Sequence, residues 1–174
     1  MRSFELLKAA ALLLAVTLAA GAFSSCAPHA RESKGPDIYD TKADGEKLLA
    51  DALGVAKREN KRVLAEFGAN WCIWCRRMHA LLHSDAEVAP FFQQNYVLVM
   101  IDVDEVDGKT HNGQLIERYG DPTTNGIPGV GVLDADGKVL KVRDAGEFQH
   151  DDHYEPAKVL EFLKEFAPKT TTVK

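Results

Sequence analysis

The chain has 174 residues, 45% of them hydrophobic, with 26 acidic against 21 basic side chains and a formal net charge of −5 at pH 7. This acidic balance, with no basic stripe, excludes nucleic acid as a partner class. The length allows one ordinary domain plus an appendage, enough to bury a core without a structural metal or a disulfide framework.

The appendage comes first. Arg2 and Lys8 flank a charged start, and Ala9 to Ala22 is an Ala/Leu-rich run without a charge, ending in small residues. Such a run is too short to span a bilayer comfortably and reads as a secretory signal. Two cleavage patterns compete in it. Ala20-Gly21-Ala22 offers a small-x-small site, whereas Ser24-Ser25-Cys26 resembles the bacterial lipoprotein box, in which the chain is cut before a Cys that is then lipidated. We read residues 1–25 as a lipoprotein-type signal and Cys26 as the lipidation site, although Phe23 stands where that pattern carries an aliphatic residue. Losing Arg2, Glu5 and Lys8, which together contribute +1, takes the net charge from −5 to −6. Pro28 to about Tyr39 shows no apolar period, so 26–42 is read as a flexible tether, 43–168 as the folded domain and 169–174 as a tail.

Within the domain, Leu48, Leu49, Ala52, Leu53 and Ala56 recur at three- and four-residue spacing and predict a helix from Asp44 to about Glu59. Arg62 to Phe67 is a short continuous apolar run, as in a strand covered on both faces. It leads through Gly68-Ala69-Asn70-Trp71-Cys72-Ile73-Trp74-Cys75 into a helix from Arg76 to about Leu82, which Pro90 kinks or restarts before it ends at Phe91 and Phe92. Tyr96 to Asp102 predicts a second strand, about Asn112 to Tyr119 a short helix, and Gly120 to Pro128 a loop. Val130–Leu133 and Val139–Val142 flank Asp134-Ala135-Asp136-Gly137 as a hairpin. Pro156 suits the first position of a last helix that buries Val159, Leu160, Leu163 and Phe166. The predicted fold is α/β, a central mixed β-sheet flanked by helices.

Apart from Cys26, the cysteines are one pair, Cys72 and Cys75. A disulfide between them closes a tiny loop and constrains the unfolded chain little, so stapling the fold is a poor reason for it. A thiol attacks a disulfide only as thiolate, and Cys72 falls at a strand-to-helix junction, where unpaired N–H groups and the helix dipole favour an anion. Cys75, one turn on, lies on the same side and deeper. Cys72 is therefore the exposed attacking sulfur and Cys75 the resolving one, with Arg76 and Arg77 as nearby cations that are more often plain solvated residues. The same spacing is half of a zinc site, but two further ligands are missing.

Ala65 to Cys75 closely resembles the active-site segment of thioredoxin-like proteins, and Gly126-Ile127-Pro128 resembles their cis-proline loop. The two motifs stand in the family's order about fifty residues apart, and the resemblance covers roughly Ala43 to Phe166. It implies that Pro128 is cis, whereas the residues alone favour trans. It also implies that Ile127 pairs with an extended substrate strand, and that Trp71 and Trp74 line the docking surface. Glu66 takes the place of a buried Asp that moves the proton of the resolving cysteine; its alternative is a half-exposed residue on a strand edge. Three departures bear on substrate choice: Gly129 where the best-known members have Thr, a lengthened Asp121–Asn125 loop, and an insertion from Glu147 to Glu155. His79 and His83, and the group His150, Asp151, Asp152 and His153, have spacings that suit metals, but neither completes a known ligand pattern. No cofactor is implied.

The function these observations imply is dithiol-disulfide exchange with protein substrates, as a reductase of the bacterial cell envelope rather than an oxidase. It would be charged by an upstream redox partner and held to the membrane by the lipid on Cys26. A redox-inactive binding or chaperone module on the same fold is the competing reading.

Overall fold

The computed structural model describes residues 35–169. Asp44 caps the first helix, α1 (Gly45–Glu59), its carboxylate accepting from the N–H groups of Glu46 and Lys47. Asn60 ends it in the left-handed conformation. The chain turns into β1 (Arg62–Gly68), buried along nearly its whole length, and then into α2 (Ile73–Ser84) and α3 (Val88–Asn95). Pro90 restarts the helix rather than kinking it. It sits in the first turn of α3, where its missing N–H would have had no intrahelical partner.

The second strand, β2 (Tyr96–Asp102), pairs parallel with β1, Glu66 opposite Met100 and Gly68 opposite Asp102. A two-residue ladder, β3 (Glu105–Val106) with β4 (Lys109–Thr110), precedes α4 (Gly113–Arg118). The hairpin of β5 (Gly129–Leu133) and β6 (Val139–Asp144) adds antiparallel to β1. Asp134 shapes its turn by accepting from the Asp136 and Lys138 N–H groups, and Gly137 supplies the positive φ. The sheet order is β2-β1-β5-β6, the mixed sheet anticipated from the sequence.

Alternation along β1 divides the core. Val63, Ala65 and Phe67 face Leu49, Ala52 and Ala56 of α1 and Leu115 of α4. Leu64 faces Met78 and Leu82 of α2, Phe92 of α3, and Val159 and Leu163 of the last helix, α5 (Pro156–Phe166). On α5 the buried side chains are Val159, Phe162 and Leu163. Leu160 and Phe166, anticipated in the core, only pack partly against it. The insertion before α5 is ordered as a short 3-10 turn (Ala145–Phe148) and a tiny ladder of β7 (Gln149–His150) with β8 (His153–Tyr154).

One expectation about the tether is corrected. Tyr39 is 2% exposed and clusters with Cys72 and Cys75, with Ile38 packed alongside. A lone aromatic at the end of a polar run has no period to betray its burial, and its partners lie some thirty residues further on. Cys26 and the 1–25 signal lie outside the described residues.

Candidate active site

Cys72 and Cys75 are joined by a disulfide at the start of α2. Cys72 is the N-cap residue, and its sulfur accepts the Cys75 N–H at 3.0 Å, the position a Ser or Asp oxygen takes in other helices. Preference for negative charge at this sulfur is thus built into the backbone, through one directed N–H and the positive end of the helix. Cys75 is fully buried. Cys72, anticipated as exposed, is itself only 4% exposed in the disulfide form, being bonded to Cys75 and 3.5 Å from the Ile127 carbonyl oxygen. The bond between Ile127 and Pro128 is cis. Ile73, 48% exposed, leaves apolar surface at the rim.

Trp71 is half-buried, and its indole N–H donates to Asp104 Oδ1 at 2.8 Å, so the loop after β2 fixes the ring beside Cys72. Trp74 lies edge-on to Tyr154 of β8, ring centroids 5.2 Å apart, with the Arg77 guanidinium 4.6 Å from its ring centroid. The inserted ladder therefore packs on the helix that carries the cysteines. Arg76 is committed elsewhere. Its Nε–H donates to the Asn70 carbonyl at 2.9 Å and its Nη1–H to the Pro36 carbonyl at 2.7 Å.

Glu66 is fully buried in a central strand, which removes the strand-edge alternative. Oε1 accepts from the Tyr39 hydroxyl at 2.8 Å, and Oε2 has no hydrogen-bond partner among the described residues. Burial pushes the carboxyl up to about 8, against the smaller opposing effect of the Tyr39 hydrogen bond. Gly68, two residues on and on the same face of β1, shows why this strand ends in glycine. A Cβ there would stand 2.6 Å from Cys75 Sγ and collide with the Tyr39 hydroxyl.

Sequence reasoning missed Tyr39, Asn70, Asp102, Asp104 and His111. Asp102 is 2% exposed, accepts or shares a proton with His111 Nδ1 at 2.9 Å, and is shifted upward by burial. A carboxylate closing the otherwise apolar Tyr96–Ile101 run was the signal available. His79 and His83 stack with ring centroids 4.2 Å apart, and His83 Nδ1 lies 2.8 Å from the His79 carbonyl.

Two departures noted in the sequence have one structural cause. A Cβ at Gly129 would collide with the backbone carbonyl of Pro122 in the lengthened loop. The loop occupies the space a side chain after the cis-proline would need, so the longer loop and the glycine go together.

A sheet that brings a helix-capping cysteine pair against a cis-proline loop defines the thioredoxin-fold class. A family model described as thioredoxin-like matches residues 45–135, more than half of the chain, and the chain belongs to that family. It is 32% identical over 99 residues to the thiol:disulfide interchange protein DsbD of Colwellia psychrerythraea, a stretch covering 56% of this chain and 16% of that relative. The chain thus matches less than a fifth of the length of that curated relative. A disulphide isomerase from Xylella fastidiosa Temecula1 superposes with a TM-score of 0.64 at 32% identity, over 75% of this chain and 96% of that one.

Proposed function

We propose that this protein is a thiol-disulfide oxidoreductase of the cell envelope that reduces disulfides in protein substrates. The observation that carries the reading is the placement of Cys72 as a helix cap receiving the Cys75 N–H, with Cys75 buried behind it. In the dithiol form the Cys72 thiolate attacks one sulfur of a substrate disulfide, and the other substrate sulfur leaves as a thiolate that takes a proton from water. Cys75, giving its proton to the ionised Glu66 carboxylate, then attacks Cys72 Sγ and expels the second substrate sulfur as a thiolate, which also takes a proton from water. Substrate gains two electrons and two protons, and the protein is left with the Cys72–Cys75 disulfide. An upstream dithiol partner reverses that change. The groove for an extended substrate strand is formed by Trp71, Trp74, Ile127 and Pro128, of which Ile127 presents its carbonyl to Cys72.

The test is insulin precipitation driven by dithiothreitol. Wild type accelerates it, and Cys72→Ser matches the protein-free control; equal curves for the two proteins leave the binding module as the reading. Export and anchoring rest on the Ala9–Ala22 run and Ser24-Ser25-Cys26. Fractionated cells should hold the wild type in the membrane pellet and Cys26→Ser in the soluble fraction; pelleting of both removes the lipid anchor from the proposal.

A further inference from the structure

The segment before α1 is bolted to the active-site loop. Asn70 Oδ1 accepts the Ile38 and Tyr39 N–H groups at 2.8 and 2.9 Å, and its Nδ2–H donates back to the Tyr39 carbonyl at 2.9 Å. Arg76 ties the Pro36 carbonyl to the first turn of α2. These bonds deliver one side chain into the space behind Cys75. The Tyr39 hydroxyl and Cys75 Sγ both lie inside 3.0 Å of the point where a Cβ on Gly68 would stand, so the missing side chain is what admits the phenol. That hydroxyl is also the hydrogen-bond partner of the Glu66 carboxyl.

We propose that Tyr39 is a positioning residue of the redox centre: its hydroxyl holds the Glu66 carboxyl behind Cys75, and docking of the segment before α1 completes the proton relay. The inference rests on the role assigned to Glu66 above. It explains three features that packing alone does not: a tyrosine rather than an aliphatic residue at the deepest point of the segment, a glycine at the end of β1, and an asparagine with three bonds to one dipeptide. Donation from a neutral phenol to a carboxylate favours the ionised form, so Tyr39 counters the burial that keeps Glu66 protonated. Other titratable groups facing this space are Asp102 on β2 and Tyr154 on β8, with Arg77 of α2 reaching Tyr154. In the oxidised protein neither cysteine titrates.

The test follows the 13C resonance of the Glu66 carboxyl through pH in the oxidised full-length protein, with Glu66→Gln identifying the signal by its loss. Tyr39→Phe, which keeps the ring and removes one oxygen, moves the midpoint up by about one pH unit. A ring-fluorinated tyrosine at position 39, a stronger donor of nearly the same shape, moves it down without risk to folding. Midpoints unchanged in both proteins would reduce Tyr39 to a space-filler and overturn the proposal. The readout needs no turnover, so insulin reduction can fail, sinking the enzymatic reading, while the titration still decides what Tyr39 does.

Discussion

Replacing Cys75 by Ser will arrest the reaction halfway, leaving substrate covalently attached to Cys72. The argument starts from the unequal placement of the two sulfurs. Cys72 caps the helix and meets the Ile127 carbonyl at the rim, whereas Cys75 has no exposed surface at all. An incoming disulfide reaches the first sulfur only. Once the mixed disulfide forms, its resolution depends on a second thiol held one helical turn away, and an intramolecular thiol outruns dissolved ones by orders of magnitude. Cys75→Ser removes that thiol while leaving the cap and the attacking thiolate. Turnover in the insulin assay falls by at least ~100-fold, and a dithiothreitol-sensitive adduct of protein plus substrate chain accumulates on non-reducing gels, mapping to Cys72. Cys72→Ser gives no adduct. An adduct on Cys75 in the Cys72→Ser protein, or full turnover by Cys75→Ser, would reverse or remove the assigned roles.

Legibility in the sequence followed the physical range of each signal. The main strands and helices were readable because each carries its own period. Leu49, Ala52 and Ala56 line one face of α1, and the Val63–Phe67 run, apolar but for Glu66, belongs to a strand covered on both sides. The cysteine pair was readable because its chemistry is confined to four residues. What stayed hidden depends on contacts distant in sequence. Tyr39 is buried by partners 27 and 31 residues away, and nothing in its polar surroundings marks it. The ladders of β3 with β4 and β7 with β8 have two residues per strand, too few to establish alternation. Gly129 was visible as a departure from the family, but its cause is the Pro122 carbonyl, which only the folded loop brings there. The expectation that Cys72 is exposed failed for a similar reason, since the cis-proline loop that covers it comes 55 residues later.

Glu66→Gln will cross the wild type in stability as pH rises. In the folded protein Glu66 titrates near 8, whereas the ordinary value is 4.5. Below pH 4.5 both states hold the proton, and the group makes stability neither rise nor fall. Between 4.5 and 8 the unfolded chain has lost its proton while the folded one keeps it, so stability falls steadily as pH rises, and above 8 the full penalty stands. At about 1.4 kcal/mol per pH unit the loss is on the order of 5 kcal/mol, an upper figure for a site that can relax. Glutamine escapes this penalty, keeps an oxygen to accept from Tyr39, and places an amide N–H where Oε2 has no protein partner, at a cost of about 1–3 kcal/mol. The variant is therefore no more stable than wild type at pH 5 and more stable at pH 9. Urea midpoints of the two oxidised proteins at both pH values check this, and comparing them cancels every other titrating group. A constant difference across pH would show that Glu66 titrates normally. On the relay role proposed for it, Glu66→Gln should be the variant that gains stability above pH 8 while slowing the resolving step.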